Sequence, residues 1–278
     1  TVRAREGSKS MDALRREKRD LKASAAAMGE VSECELLRGG EGRPLLVLHG
    51  FHPLPPDSPF LCELARHAEV IAPSLPGFGG TRRPEALDTV YDLARFCLDL
   101  IDDLGLEAFD LVGFSFGGWL ALELAVMGIP VRRIALVDCV GVKLNERETS
   151  GIADVFNLHP DEVRARSWHD PSLGNVDFDA MSDDAIVAYV RDRESLCLYA
   201  WEPYMHTPAL RHWLHRIRVP SLILWGESDR IVDVNYGRAL AERLGDARFE
   251  TVPNAGHHPE LERPTYLAER LAAFLGTS

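Results

Sequence analysis

Apolar residues along this chain follow two rhythms. Short apolar runs, Pro44-Leu45-Leu46-Val47-Leu48, Glu69-Val70-Ile71-Ala72-Pro73, Phe109-Asp110-Leu111-Val112, Arg133-Ile134-Ala135-Leu136-Val137-Asp138 and Pro220-Ser221-Leu222-Ile223-Leu224-Trp225, read as strands of a buried sheet, and Phe249-Glu250-Thr251-Val252 reads as a last strand. Between them lie stretches with helical spacing. Residues 88–104 put Val90, Leu93, Ala94, Cys97, Leu98, Ile101 and Leu104 on one face, and Gly105 ends that helix. Residues 60–67, 119–127 and 265–275 read as further helices, and residues 30–37 as an edge strand turned by Arg38-Gly39-Gly40-Glu41-Gly42. Strands alternating with helices predict an α/β fold: a mostly parallel twisted sheet flanked by helices.

The alternation breaks after Val140 and resumes at Pro220. Residues 141–218 carry helical patterns without a clear strand, which predicts a helical cap inserted into a core made of residues 29–140 and 219–278. Residues 1–28 differ from both parts. They include Arg15-Arg16-Glu17-Lys18-Arg19-Asp20 and few apolar side chains. Such a stretch buries little, and it reads as a mobile or loosely docked N-terminal extension, at most a solvated helix.

Composition narrows the class. The chain has 278 residues, 46% hydrophobic and 27% charged, as expected of an ordinary globular protein of one large α/β domain with an insertion. The net charge of -12 argues against nucleic acid or an anionic membrane surface as a partner, since both select clustered cations. The five cysteines, Cys34, Cys62, Cys97, Cys139 and Cys197, are odd in number and scattered. They suggest neither a disulfide framework nor a zinc site, so a reducing cytoplasm fits best. No run reaches membrane-spanning length, and no charged start leads into an apolar core of the secretory kind.

The candidate chemistry centres on Gly113-Phe114-Ser115-Phe116-Gly117-Gly118. A strand, a tight turn and a helix, with serine between two glycines, form the nucleophile-elbow pattern. A serine hydroxyl needs a base, and a histidine base needs a carboxylate to fix its tautomer. The loops after the two last strands supply both: Gly226-Glu227-Ser228-Asp229-Arg230 and Pro253-Asn254-Ala255-Gly256-His257-His258. Asp229 is the expected orienting acid. Glu227 and Asp233 flank it, and Asp138 ends an earlier strand within reach of the same histidine. His257 and His258 both stand in the base position, on diverging side chains. Two oxyanion donors are expected from backbone N–H groups. One is that of Phe116, after the nucleophile; the other is that of Phe51, in the His49-Gly50-Phe51 loop.

Taken with Pro76-Gly77-Phe78-Gly79, Trp225-Gly226-Glu227-Ser228-Asp229 and Ala255-Gly256-His257, these motifs make residues 30–278 resemble the α/β-hydrolase fold superfamily. The resemblance implies a triad of Ser115, Asp229 and His257 with a lid over it. Serine at 115 disfavours the members that use an aspartate nucleophile. Caps in this superfamily line the substrate pocket, which brings Trp201, Tyr204 and Met205 forward as an apolar wall. Trp119, beside the elbow, joins them. The expected activity is a cofactor-independent, carboxylesterase-like serine hydrolase cleaving an ester or thioester of a small, largely apolar compound through an acyl-enzyme. The alternatives are a carbon–carbon bond hydrolase of ring-cleavage products and a non-catalytic ligand-binding member of the fold. No phosphate-cradling loop or metal-ligand cluster is present, so no cofactor and no metal are expected. A small-molecule substrate is the expected partner, and a homo-oligomer is compatible with the sequence.

Overall fold

The computed structural model describes residues 13–22, 33–144 and 151–276. Among the described residues, the following elements lead up to and into the long insertion. They are β1 (Arg15–Asp20), β2 (Glu33–Gly39), β3 (Pro44–Leu48), α1 (Pro59–Leu64), β4 (Glu69–Pro73), α2 (Val90–Asp103), β5 (Phe109–Phe114), α3 (Ser115–Met127), β6 (Val131–Val137) and a two-residue extended piece, Gly141–Val142. The insertion carries α4 (Pro160–Ser167), α5 (Asp183–Ala200) and several short 3-10 turns. The chain then returns through β7 (Ser221–Gly226), α6 (Val234–Ala241), β8 (Ala247–Val252), α7 (Pro259–Glu262) and α8 (Pro264–Leu275).

One eight-stranded sheet organises these elements, in the order β1-β2-β4-β3-β5-β6-β7-β8. Strands from β4 to β8 are mutually parallel, and β1 and β2 add an antiparallel edge. Successive residues of a strand enter opposite layers of core. In β3, Leu46 and Leu48 pack into the layer shared with α2, α3 and α6, while Leu45 and Val47 pack into the layer shared with α1 and α8. This double burial explains why the strands read as continuous apolar runs. α2 begins on a capping box in which Thr89 and Asp92 exchange side-chain to backbone bonds, and Gly105 stops it at φ +63°.

The N-terminal expectation is corrected. Residues 15–20 form strand β1, paired antiparallel with β2, rather than a loose tail or a helix. Its charges are answered across the pair: Arg16 binds Glu35, and Lys18 Nζ lies 2.7 Å from Glu33. Leu14 and Leu21, just beyond either end, are 4% and 1% exposed and anchor it to opposite core layers. The rest of the extension, residues 1–12 and 23–28, lies outside the described residues. Between β6 and β7 the chain leaves the eight-stranded sheet. Among the described residues, no helix is long and apolar enough to cross a membrane.

Candidate active site

Strand β5 delivers Ser115 at its carboxyl end, and α3 begins on that same residue. The serine backbone lies at φ +45°, in the left-handed region that non-glycine residues avoid. Close packing forces this turn. A Cβ at Gly117 would run into the carbonyl oxygens of Leu48 and His49, so α3 can approach β3 only with glycine there.

The other two side chains arrive from the neighbouring strand ends. β7 leads into the turn that holds Asp229, and β8 into the loop that holds His257. A Cβ at Gly226 would collide with the Gly256 carbonyl, so the two loops also meet through a glycine. Asp229 Oδ1 accepts the N–H groups of Ile231 and Val232 at 2.8 and 3.0 Å. Its Oδ2 lies 2.7 Å from His257 Nδ1, and His257 Nε2 lies 2.8 Å from Ser115 Oγ. The insertion helps to hold the histidine: the His257 N–H donates to the Ser167 carbonyl at 2.6 Å. His258 is not an alternative base here, for its ring packs on Trp168 at 4.9 Å.

Electrostatics fit a base held by an acid. Burial pulls the His257 imidazole down, but the charge and hydrogen bond of Asp229, with Glu260 behind, outweigh it. The histidine therefore titrates above its ordinary 6.5. His49 behaves differently. Burial pushes it down to about 4, and its neutral Nε2 accepts the Leu75 N–H at 3.0 Å. It props the loop, as its place beside Gly50 suggests. A Cβ at Gly50 would stand 3.4 Å from Ser115 Cβ, so the loop carrying Phe51 lies against the elbow. The N–H of Phe116 sits in the first turn of α3, where helix geometry leaves N–H groups without an acceptor within the helix.

Asp138, the other carboxylate named above, ends β6 at φ +46° and is fully buried. It accepts the Gly226 N–H at 2.8 Å and stands behind Asp229, leaving the histidine to Asp229.

Of the residues expected to line the substrate pocket, Trp119 and Met205 lie in one core cluster, and Tyr204 packs against it. Trp119 is buried and its indole N–H is shared between Thr207 at 3.0 Å and Glu123 at 3.2 Å, tying α3 to the insertion. Tyr204 donates to the Ala153 carbonyl and accepts the Val155 N–H at 3.0 Å. Met205 is buried at φ +52°, and Trp201 is 53% exposed against Phe156. Hydrogen bonds hold the Trp119 and Tyr204 side chains in place. At the elbow the Phe116 ring meets Trp119 at 5.9 Å, Phe78 at 6.0 Å and Tyr199 at 6.3 Å between centroids.

Sequence reading also missed how the insertion docks. In α5, Asp192, Ser195, Leu196, Tyr199 and Ala200 are buried, a helical i, i+3, i+4, i+7, i+8 stripe. Asp192 accepts the Gly79 N–H at 2.9 Å and pairs with His52 at 2.8 Å. Ser195 and Tyr199 donate to the Gly77 and Pro76 carbonyls at 2.8 and 3.1 Å. The spacing of that stripe was visible, but its carboxylate and serine hid it from an apolar search.

The chain is 29% identical over 254 residues to a 2-hydroxymuconate semialdehyde hydrolase of Pseudomonas putida, covering 85% of this chain and 88% of that protein. It is 29% identical over 242 residues to a 2-hydroxy-6-oxo-2,4-heptadienoate hydrolase of the same species, covering 81% and 86%. The solved structure of a bacterial membrane phospholipase A superposes with a TM-score of 0.71 at 24% identity, covering 96% of this chain and 87% of the other. That likeness, at so low an identity, shows the fold alone. The model of the alpha/beta hydrolase family matches residues 45–270, and with the sheet and elbow described above the chain belongs to that family and is a hydrolase.

Proposed function

We propose that this protein is a serine hydrolase that cleaves a carbon–carbon bond in a 2-hydroxy-6-oxo-dienoate, the product of aromatic ring cleavage. The observation that carries the serine chemistry is the continuous contact from Asp229 through His257 to Ser115 Oγ, at 2.7 and 2.8 Å. The bond class is supported by the two Pseudomonas relatives, both named as hydrolases of such compounds.

The steps follow from the residues. The dienol first passes to its keto form, placing a ketone in conjugation with the bond to be broken. Ser115 Oγ attacks the 6-oxo carbon as His257 Nε2 takes its proton. The N–H groups of Phe51 and Phe116 hold the oxyanion, at the positive end of α3. Collapse breaks the C5–C6 bond. Its electron pair moves into the conjugated dienolate, which takes a proton from His257. Water, activated by the same histidine, then releases the acyl group from Ser115. Asp229 keeps His257 in the tautomer both half-reactions need.

A second reading is cleavage of a small apolar ester or thioester by the same residues. The buried rings of Phe78, Phe116 and Tyr199 beside the elbow favour it, because apolar surroundings suit a small apolar acyl group. In addition, the insertion's Arg191 and Arg193 already bond the Gly79 and Val155 carbonyls. Side-by-side kinetics on 2-hydroxymuconate semialdehyde and short p-nitrophenyl esters test the choice. The proposal expects a kcat/KM at least ~10²-fold higher for the dienoate, with both activities lost in a folded Ser115→Ala variant. Faster turnover of the esters would move the assignment to the second reading. A fully active Ser115→Ala variant would remove the mechanism altogether.

A further inference from the structure

One buried group at this site has no task in the mechanism above. Asp138 is 0% exposed, and its Oδ1 accepts the Gly226 N–H, yet its Oδ2 has no hydrogen-bond partner among the described residues. Asp138, Asp229 and His257 each place one ligand-type atom within 4.8 Å of the others. Asp229 Oδ2 and His257 Nδ1 are committed to each other, which leaves a second carboxyl pressed against a carboxylate where water does not reach.

Two carboxylates cannot both stay ionised at such a place without a cation between them. We infer that Asp138 is a positioning residue held as a neutral carboxylic acid, whose Oδ2–H donates to Asp229, so that the pair presents a single negative charge to His257. This gives the orphan Oδ2 a partner and supplies Asp229 with a donor beside the two backbone N–H groups and His257 Nδ1. Burial and the charge of Asp229 both push the Asp138 carboxyl well up from the usual carboxylate range. The titratable groups that face it are Asp229 after β7, His257 after β8, Glu260 in α7 and the adjacent buried thiol of Cys139. The inference rests on the triad reading above, because the role assigned to Asp138 acts through Asp229.

The test has two arms. The first is an infrared difference spectrum at pH 7, resting wild type minus Asp138→Asn. The expected result is loss of the C=O stretch of a protonated carboxylic acid; loss of carboxylate bands instead would overturn the inference. This arm needs no turnover, so it can fail while Ser115→Ala remains inactive. Conversely, an active Ser115→Ala would sink the triad without changing the spectrum. The second arm is the acidic limb of kcat/KM against pH, which reports His257 in the free enzyme. Asp138→Leu removes the donor, concentrates the Asp229 charge on the imidazole and should move the limb upward by about one pH unit. Asp138→Asn keeps both bonds, its amide donating to Asp229 and its carbonyl accepting from Gly226, and should return the limb to the wild-type position. Were Asp138 ionised instead, Asn would delete a negative charge beside His257 and shift the limb to lower pH, which would overturn the inference. If Asp138→Leu does not fold, the Asn limb and the infrared band decide alone.

Discussion

At the residue scale, the site depends on one strained serine and one buried ion-pairing histidine. Holding Ser115 at φ +45° costs on the order of 1–3 kcal/mol, which the packing of α3 on β3 must offset. The strain aims Oγ at His257. Because Asp229 and Glu260 outweigh burial, His257 binds its proton more tightly than an ordinary imidazole. A protonated His257 cannot accept the serine proton. Activity should therefore be low at pH 6 and rise through a single-proton limb centred above 6.5. A pH profile of kcat/KM checks this, and a limb centred below 6.5 would contradict it. Ser115, Asp229 and His257 were all legible as candidates in the sequence, because each follows a run that reads as a strand, continuous and apolar before Ser115 and Asp229 and mixed before His257. The choice of Asp229 over Asp138 was not decided by sequence order, since both end strands. It is decided by distance: His257 Nδ1 meets Asp229, and Asp138 stands behind it. The residues around the pocket were less legible. Trp119, expected to line the pocket, spends its indole N–H on Glu123 and Thr207 and packs its ring on Phe116 at 5.9 Å.

At the scale of elements, periodicity identified the central strands and α2 because their burial is apolar and regular. It failed at β1. That strand is charged along its whole length, so no alternation of apolar and polar residues marks it. Its stability comes from elsewhere: backbone pairing with β2, cross-strand partners at Glu33 and Glu35, and the leucines at its ends. The exposed Lys18–Glu33 pair contributes little, about 0–1 kcal/mol, and the Arg16 side chain of the other pair is half exposed, so the leucines should dominate. Leu21 is 1% exposed, in the core layer of α2 and α3. Leu21→Ala should lower unfolding stability by about 2–4 kcal/mol in denaturant titrations. Loss of less than ~1 kcal/mol would mean that β1 is not docked as described. The insertion helix α5 teaches the same lesson from the other side. Its buried stripe mixes Asp192 and Ser195 with Leu196 and Tyr199, because it seals onto the backbone of the Pro76–Gly79 loop rather than onto an apolar face.

At the scale of the whole molecule, the parallel sheet gathers residues 115, 229 and 257 from the carboxyl ends of β5, β7 and β8, the edge where open α/β sheets place their chemistry. The insertion closes over that edge and also reaches into it, since the Ser167 carbonyl holds the His257 N–H. The sheet, the elbow and the family were readable from the sequence. The bond that is cleaved was not, for a triad of this kind serves esters and carbon–carbon bonds alike; the Pseudomonas relatives weight the proposal toward the carbon–carbon bond. The claim common to both readings is that Ser115 is a nucleophile made reactive by His257. Labelling of the folded protein with a fluorophosphonate, followed by peptide mass mapping, tests it most directly. The account predicts a single adduct on Ser115 that is lost on unfolding and in His257→Ala. An adduct on another serine, or labelling of Ser115 that His257→Ala leaves unchanged, would contradict it.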